Sequence, residues 1–506
     1  MARAGLLCWL VSTGCSPPER VDRQHRDGVA DAFVPLTRRI EFSFPGNAWL
    51  TRREAEEDLD ELEWLLEHRY AYLTLRSVDY RAALDSIRAA LPDRIARGTF
   101  ALQLHKLLAL FGDGHTLVSD PALETMRGRF LPFLVAESQG RLVAFSGDRK
   151  SFLDEQHPFL RKLDGRLLEE WLQVARPTVA RGSPQFSRRA CLGRLRDIEY
   201  LRKELLLPPS DCVQVELESA DGASRHTLNL PLSNQRHTSR TGRPGGSDAL
   251  PLARILPGEI GYLQIYPWLS DSPQFLEGLV SAMGTLRDTR GLVIDLRGNG
   301  GGSRAPLRTL FPFFLAPNAP PQVLNVAAYR VGHAYNVLEG RWLYPADWDG
   351  WSQAERAAIQ TFARGFVPAW PLPCGQFSEW HYFVLSPSTR PECYHYRQPV
   401  IILMDSANFS ATDIFLGAFK GRHNVTLMGT PSGGGSGRFQ SFRLRHSSIQ
   451  VHLSSMVSFQ PGGALYDGNG IQPDVLLEPT SEDLIGKTDS VLDAARRKLR
   501  TGRDHE

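Results

Sequence analysis

Residues 399–420 read PVIILMDSANFSATDIFLGAFK. Val400 to Met404 is an unbroken apolar run, the pattern of a strand buried on both faces. Small and polar residues follow, and then Ile414, Phe415, Ala418 and Phe419 recur at helical spacing. Ser410 stands at the junction of strand and helix. One reading makes it an N-cap, its hydroxyl accepting a hydrogen bond from the first helical turn. The other makes it a nucleophile, exposed above the sheet edge beside N–H groups that stabilise developing negative charge. Taken alone the pattern favours the cap. It is not a G-x-S-x-G elbow, because no glycine stands on either side of the serine in NFSAT.

The neighbouring segments extend the strand into a layered α/β unit. EIGYLQIY (259–266) predicts a strand, residues 274–287 an amphipathic helix, GLVIDL (291–296) a strand buried on both faces, and NVTLMG (424–429) another strand. DLRGNGGGS (295–303) places three consecutive glycines after a buried strand, where backbone N–H groups can approach a ligand closely. The glycine spacing does not fit a dinucleotide fingerprint. The run GTPSGGGSGR (429–438) lacks the Lys-Ser/Thr ending of a P-loop.

Upstream, Thr51 and Glu54 fit a capping box at the start of a helix. A second helix is expected near 80–91, stopped by Pro92. A third from about Thr99 carries the stripe Phe100, Leu104, Leu107, Leu108 and Phe111, with Gly112 as its C-terminal stop. GDGHT (112–116) follows, so His115 lies in a tight turn, which is the fixing a general base needs. Residues 128–235 alternate in short runs such as RLVAFSGD and CVQVELESAD and predict a small β-rich module.

The chain has 506 residues, with 42% hydrophobic and 23% charged, which is ordinary globular composition for two to four units. A net charge of +2 and scattered arginines give no basic patch, so nucleic acid is excluded as an expected partner. Arg3, the short apolar run Gly5 to Val11 and the small residues ending in Cys15 resemble a lipoprotein signal. That implies export, with Cys15 as a lipid anchor. The remaining cysteines suggest two local disulfides by spacing, Cys191–Cys212 and Cys374–Cys393, with four buried thiols as the alternative. No CxxC occurs, and no metal or cofactor is expected.

In order, GYLQIY, GLVIDLRGNGGG, PVIILMDSANFSATDIFLGAFK and YDGNGIQPDV resemble the S41 serine peptidases, the tail-specific and tricorn-type proteases. The resemblance implies a ClpP/crotonase-like α/β core over 255–506, with an aromatic-rich insertion at 325–396 that is either a lid or a satellite core. It also implies a helical cap at 46–127 and a PDZ-like module at 128–235. The rest of the chain divides into a signal at 1–15 and linkers at 16–45 and 236–254. The Ser-Lys branch places its lysine where this chain has Gly435, and Lys420 lies about 15 Å along the helix from Ser410. The tricorn-type branch implies Ser410 as nucleophile, His115 as base and Asp467 as the acid acting on His115 directly or through an intervening group. Ala411 and Gly300 or Gly301 would supply the oxyanion N–H groups, and Asp474 would be structural. The expected function is peptide-bond hydrolysis on a peptide or protein substrate. An inactive peptide or ligand binder and an esterase with the same triad are the alternatives.

Overall fold

The computed structural model describes residues 48–125, 128–237, 250–332, 338 and 340–501. The signal with Cys8 and Cys15, the linker at 16–45 and most of the linker at 236–254 lie outside them. No helix among the described residues is long and apolar enough to cross a membrane.

A six-stranded sheet forms the core, in the order Leu252–Leu256, Ile260–Gln264, Gly291–Asp295, Val400–Met404, Val425–Gly429, Val475–Leu476. The first pair is antiparallel and the others are parallel. Every residue of Gly291–Asp295 and Val400–Met404 is buried, as their continuous apolar runs require. Pairing of Asp295 with Leu403 aligns the ends of these two strands. The glycine loop and the serine turn therefore emerge side by side at one edge of the sheet.

The N-terminal helices Arg52–Arg69, Tyr80–Ala90 and Arg97–Ala109 form where the pattern placed them, and the Thr51–Glu54 capping box is made. They are not an independent layer. The strand Leu117–Ser119 pairs with Gln450–Ser454, which pairs with Phe439–Arg443. Leu59, Leu62, Leu104 and Leu108 share a buried cluster with Val451, Leu453 and Val457. This pairing carries the turn containing His115 across to the core.

The β-rich module is an antiparallel sheet, Phe133–Ser138, Arg141–Ser146, Phe159–Leu163, Cys212–Glu218 and Arg225–Pro231 in order, with Arg166–Leu167 added to the third strand. Three helices, Leu168–Ala175, Pro184–Arg194 and Ile198–Glu204, cover it. The second opens on Ser183 as N-cap, with Pro184 in its first turn.

Neither expected disulfide forms: Cys191, Cys212 and Cys393 are free thiols. Cys191 is buried on a helix inside the module, and Cys212 is exposed at a strand end. The insertion builds a second sheet in which Gln322–Tyr329 lies between His381–Leu385 and Met456–Phe459. Trp351 packs with Ile359 and Tyr382, while Trp370 and Trp380 pack on the helical cluster. Leu343, Phe383 and Tyr396 of the insertion lie in the main core cluster.

Candidate active site

Ser410 precedes the helix Ala411–Phe419 with φ 60° and ψ −121°, and its side chain caps no N–H. An N-cap serine has extended backbone and accepts a bond from the first turn. Ser410 does neither. A positive φ at a residue with a side chain is costly and persists only where the surroundings enforce it. The enforcement is a buried polar lattice. Asn299 Nδ2 donates to Ile265 O (3.0 Å), and its Oδ1 accepts from Thr412 Oγ1 (2.8 Å) and Gly301 N (3.0 Å). Asn408 Nδ2 donates to the carbonyls of Leu296 and Asn299, its Oδ1 accepts from Asp405 N, and its carbonyl accepts from Gly433 N at 2.6 Å.

Glycine makes the crossing feasible. At Gly301, φ 110°, a Cβ would lie 2.8 Å from Ser410 Cβ and 2.6 Å from Phe409 O. The space that a G-x-S-x-G elbow takes from its own glycines is supplied here by a different loop.

His115 Nε2 lies 3.2 Å from Ser410 Oγ, across 295 residues of sequence. The GDGHT turn is held from two sides. Arg76 Nη1 donates to Phe111 O, Gly112 O and Arg181 O, and Asp113 accepts from His115 N (3.0 Å) and Thr116 Oγ1 (2.7 Å). The imidazole stacks on Phe409 at 4.7 Å, and Phe409 stacks in turn on Phe186 of the module at 5.1 Å. Burial pushes the His115 pKa down to about 4, with Asp113 opposing and Arg341 adding to the fall.

Asp467 is buried beside this pair but makes no direct bond to the imidazole. Its carboxylate accepts from Tyr72 Oη (2.5 Å), Ser436 N (3.1 Å to each oxygen) and Ser436 Oγ (2.7 Å). A ring nitrogen of His115 lies within 4.8 Å of carboxylate oxygens of both Asp467 and Asp113. His115 Nδ1 is buried and bonds to neither. The direct form of the expected acid–histidine contact is therefore not made; Tyr72 Oη and Ser436 Oγ both bond Asp467 Oδ2. Burial and the charge of Asp113 push the Asp467 carboxyl up to about 6, against the bonds from Tyr72 and Ser436.

Of the expected oxyanion donors, Ala411 opens the serine helix, where first-turn N–H groups have no acceptor inside the helix. Gly300 N donates to Pro267 O at 3.3 Å, and Gly301 N is taken by Asn299. Lys420 pairs with Asp474, which also accepts from Leu427 N at 2.8 Å, so both serve the scaffold.

Asp413 was not visible as a site residue in sequence. It is fully buried on the serine helix and accepts from Ser432 Oγ, Gly434 N and Gly435 N, clamping the second glycine run. Burial pushes its carboxyl up to about 7 against those bonds. A cavity of about 880 Å³ opens between module and core and reaches Gly300 and Phe409, with Phe186, Trp268 and Arg189 in its wall.

Mature CPAF in complex with lactacystin is similar over 88% of this chain and 99% of its own, at 17% identity and a TM-score of 0.63. Mature CPAF alone gives 18% identity, 89% and 98% coverage, and a TM-score of 0.63. A protein from Parabacteroides merdae ATCC 43184 gives 18% identity, 90% and 99% coverage, and a TM-score of 0.50. These likenesses concern the fold. No curated protein sequence matches the chain. Residues 259–477, which hold five of the six strands of the core sheet, the glycine loop and the serine helix, match the family model of peptidase family S41, and this match over that part of the chain supports a serine peptidase.

Proposed function

We propose that Ser410 is the nucleophile and His115 its general base, with Asp467 acting on the imidazole through the field rather than by a direct bond. The observation that carries this reading is the 3.2 Å approach of His115 Nε2 to Ser410 Oγ. Nε2 accepts the Oγ proton as Oγ bonds to the scissile carbonyl carbon, and the carbonyl electron pair moves to oxygen. Collapse of that intermediate expels the amine, which takes the proton from Nε2. Water, deprotonated by the same nitrogen, then releases the acyl group. Asp467 and Asp113, both near the ring, stabilise the imidazolium formed in each half. Ala411 N–H is the first oxyanion donor. Gly300 N–H, whose 3.3 Å bond to Pro267 O is the longer of the two glycine contacts, is the second.

The substrate is a peptide or protein whose side chains enter the cavity beside Phe409. Labelling with a fluorophosphonate probe tests the nucleophile: wild type labels and Ser410→Ala does not. His115→Ala should fold, and its labelling rate should fall at least ~100-fold. Wild-type rates in that variant would remove His115 as the base. Hydrolysis of a peptide library, compared with simple esters, separates the peptidase from the esterase reading.

Export with lipidation of Cys15 rests on the N-terminal sequence. Fractionation of cells expressing wild type and Cys15→Ala tests it: the wild type sediments with membrane and the variant is released.

A further inference from the structure

The loop 147–158 of the module and the strand Arg225–Pro231 bring together three groups that the peptidase chemistry does not use. Asp154 Oδ1 accepts from the backbone N–H groups of Gln156 (2.8 Å) and His157 (2.9 Å), which fixes the plane of the carboxylate. Nδ1 of His226 lies 2.6 Å from Asp154 Oδ2, and Nδ1 of His157 lies 3.2 Å from Oδ1. One donor atom from each residue lies within 4.8 Å of the other two. We propose that Asp154, His157 and His226 bind a divalent transition-metal ion of the zinc type.

The donor set is two imidazoles and one carboxylate. It suits zinc and its neighbours and is too nitrogen-rich for calcium or magnesium. Metal bonds of about 2.0–2.1 Å to N and O in a tetrahedron put ligand atoms roughly 3.3 Å apart. The separations from Asp154, 2.6 and 3.2 Å, lie just below that value, so the side chains must open slightly to admit an ion. Ligating histidines hold their second nitrogen on a polar partner. His157 Nε2 already lies 2.9 Å from Ser224 Oγ, which can accept its proton when Nδ1 turns to a metal.

The position gives the ion a role. The same loop reaches the core, where Glu155 pairs with Lys487 at 2.8 Å and Phe152 lies beneath the Lys487 ammonium. Phe145, on the strand that leads into the loop, and Arg149, near its start, line the cavity that leads to Phe409. A metal would fasten this wall of the cavity to the outer strand of the module.

The test is titration of the full chain with Co²⁺, read by visible absorption, and with Zn²⁺, read by calorimetry and thermal unfolding. Wild type should bind one equivalent at this site and melt at higher temperature when loaded. His157→Ala and His226→Ala should lose that equivalent and the melting shift. His226 is 47% exposed, so its loss opens no core. Ser224→Ala, which touches no ligand atom of the proposed set, should weaken binding ~10-fold. His115→Ala should leave the equivalent in place, which separates this site from the Asp113, His115 and Asp467 group at the catalytic serine. No binding by wild type at micromolar metal, or equal binding by His157→Ala and His226→Ala, overturns the proposal.

Discussion

A Cβ added at Gly435 would lie 2.1 Å from Cζ of Phe409 and 2.3 Å from its Cε2. Phe409 cannot swing aside, because its ring is stacked between His115 and Phe186. The position where the Ser-Lys branch of the resemblance places a lysine is thus filled by the ring that supports the histidine. Gly435 N is also committed, donating to Asp413 Oδ2 at 3.0 Å. Phe409 supports the imidazole in the space that a lysine stem would need.

It follows that Gly435→Lys does not convert the site to the other mechanism. The variant should lose activity rather than exchange its base, and overpacking should cost about 1–3 kcal/mol of stability. Gly435→Ala should show the same two losses to a smaller degree. Thermal unfolding and kcat/KM on one peptide substrate check both; a Gly435→Lys enzyme that works without His115 would refute the argument.

Asn299 is expected to matter more for the backbone of Ser410, the proposed nucleophile, than its modest appearance in a glycine loop suggests. Its side chain satisfies Ile265 O, Gly301 N and Thr412 Oγ1 in a fully buried position. Asn299→Ala leaves these groups without partners, at about 1–3 kcal/mol for each buried group. It also removes the lattice that holds Ser410 at φ 60°. Activity should therefore fall by more than the loss of folded protein explains. Thr412→Val, which removes one of the three contacts, should show a smaller drop. Active-site titration alongside unfolding curves separates the two effects.

The sheet, the three N-terminal helices and the serine helix were legible because each is a local pattern of apolar residues with a cap or a stop. Ser410 and His115 could be named, but their contact depends on the pairing of Leu117–Ser119 with Gln450–Ser454, which no local pattern announces. Tyr72, Arg76 and Asp413 escaped notice for the same reason: each acts through a partner far away in sequence, or in a loop that looks like plain punctuation. The cysteine pairs failed because spacing along the chain says nothing about which face a thiol occupies. Asp154 and His157 are neighbours in sequence, but the third member of their group, His226, arrives by folding of the module sheet.

Asp413 and Asp467 should each contribute a loss of stability as pH rises from about 4 toward 7. Asp413 and Asp467 have folded-state values raised to about 7 and about 6. Their contributions are therefore fully present below the ordinary carboxylate value near 3.8 and are lost as pH climbs through the folded values. Each contributes a slope of at most ~1.4 kcal/mol per pH unit in its window. His115, depressed to about 4, works in the opposite sense: its contribution is present above 6.5 and is lost as pH falls through 4. His452, buried and also depressed to about 4, works in the same sense, so the two histidines offset the two carboxyls up to about pH 6. Asp413→Asn removes its share of the decline, so its unfolding free energy should rise relative to the wild type's as pH goes from 4 to 7. Urea unfolding at four or five pH values measures the slopes; equal slopes in the two proteins would show that Asp413 is not the titrating group.

The acid limb of the pH–rate profile offers a test of Asp467 with two signs. If imidazolium stabilisation needs an ionised Asp467, kcat/KM should drop as pH falls through about 6. Tyr72 Oη donates to Asp467 and favours its charged form, so Tyr72→Phe should move the limb to higher pH. The charge of Asp113 disfavours ionisation of Asp467, so Asp113→Asn should move it to lower pH. Asp113 also supports His115, and its removal lowers the histidine as well, in the same direction. Opposite displacements in the two variants, with the plateau of kcat/KM reduced but measurable, are the expected result. A limb that stays fixed in both would assign the titration to a different group and remove Asp467 from the mechanism.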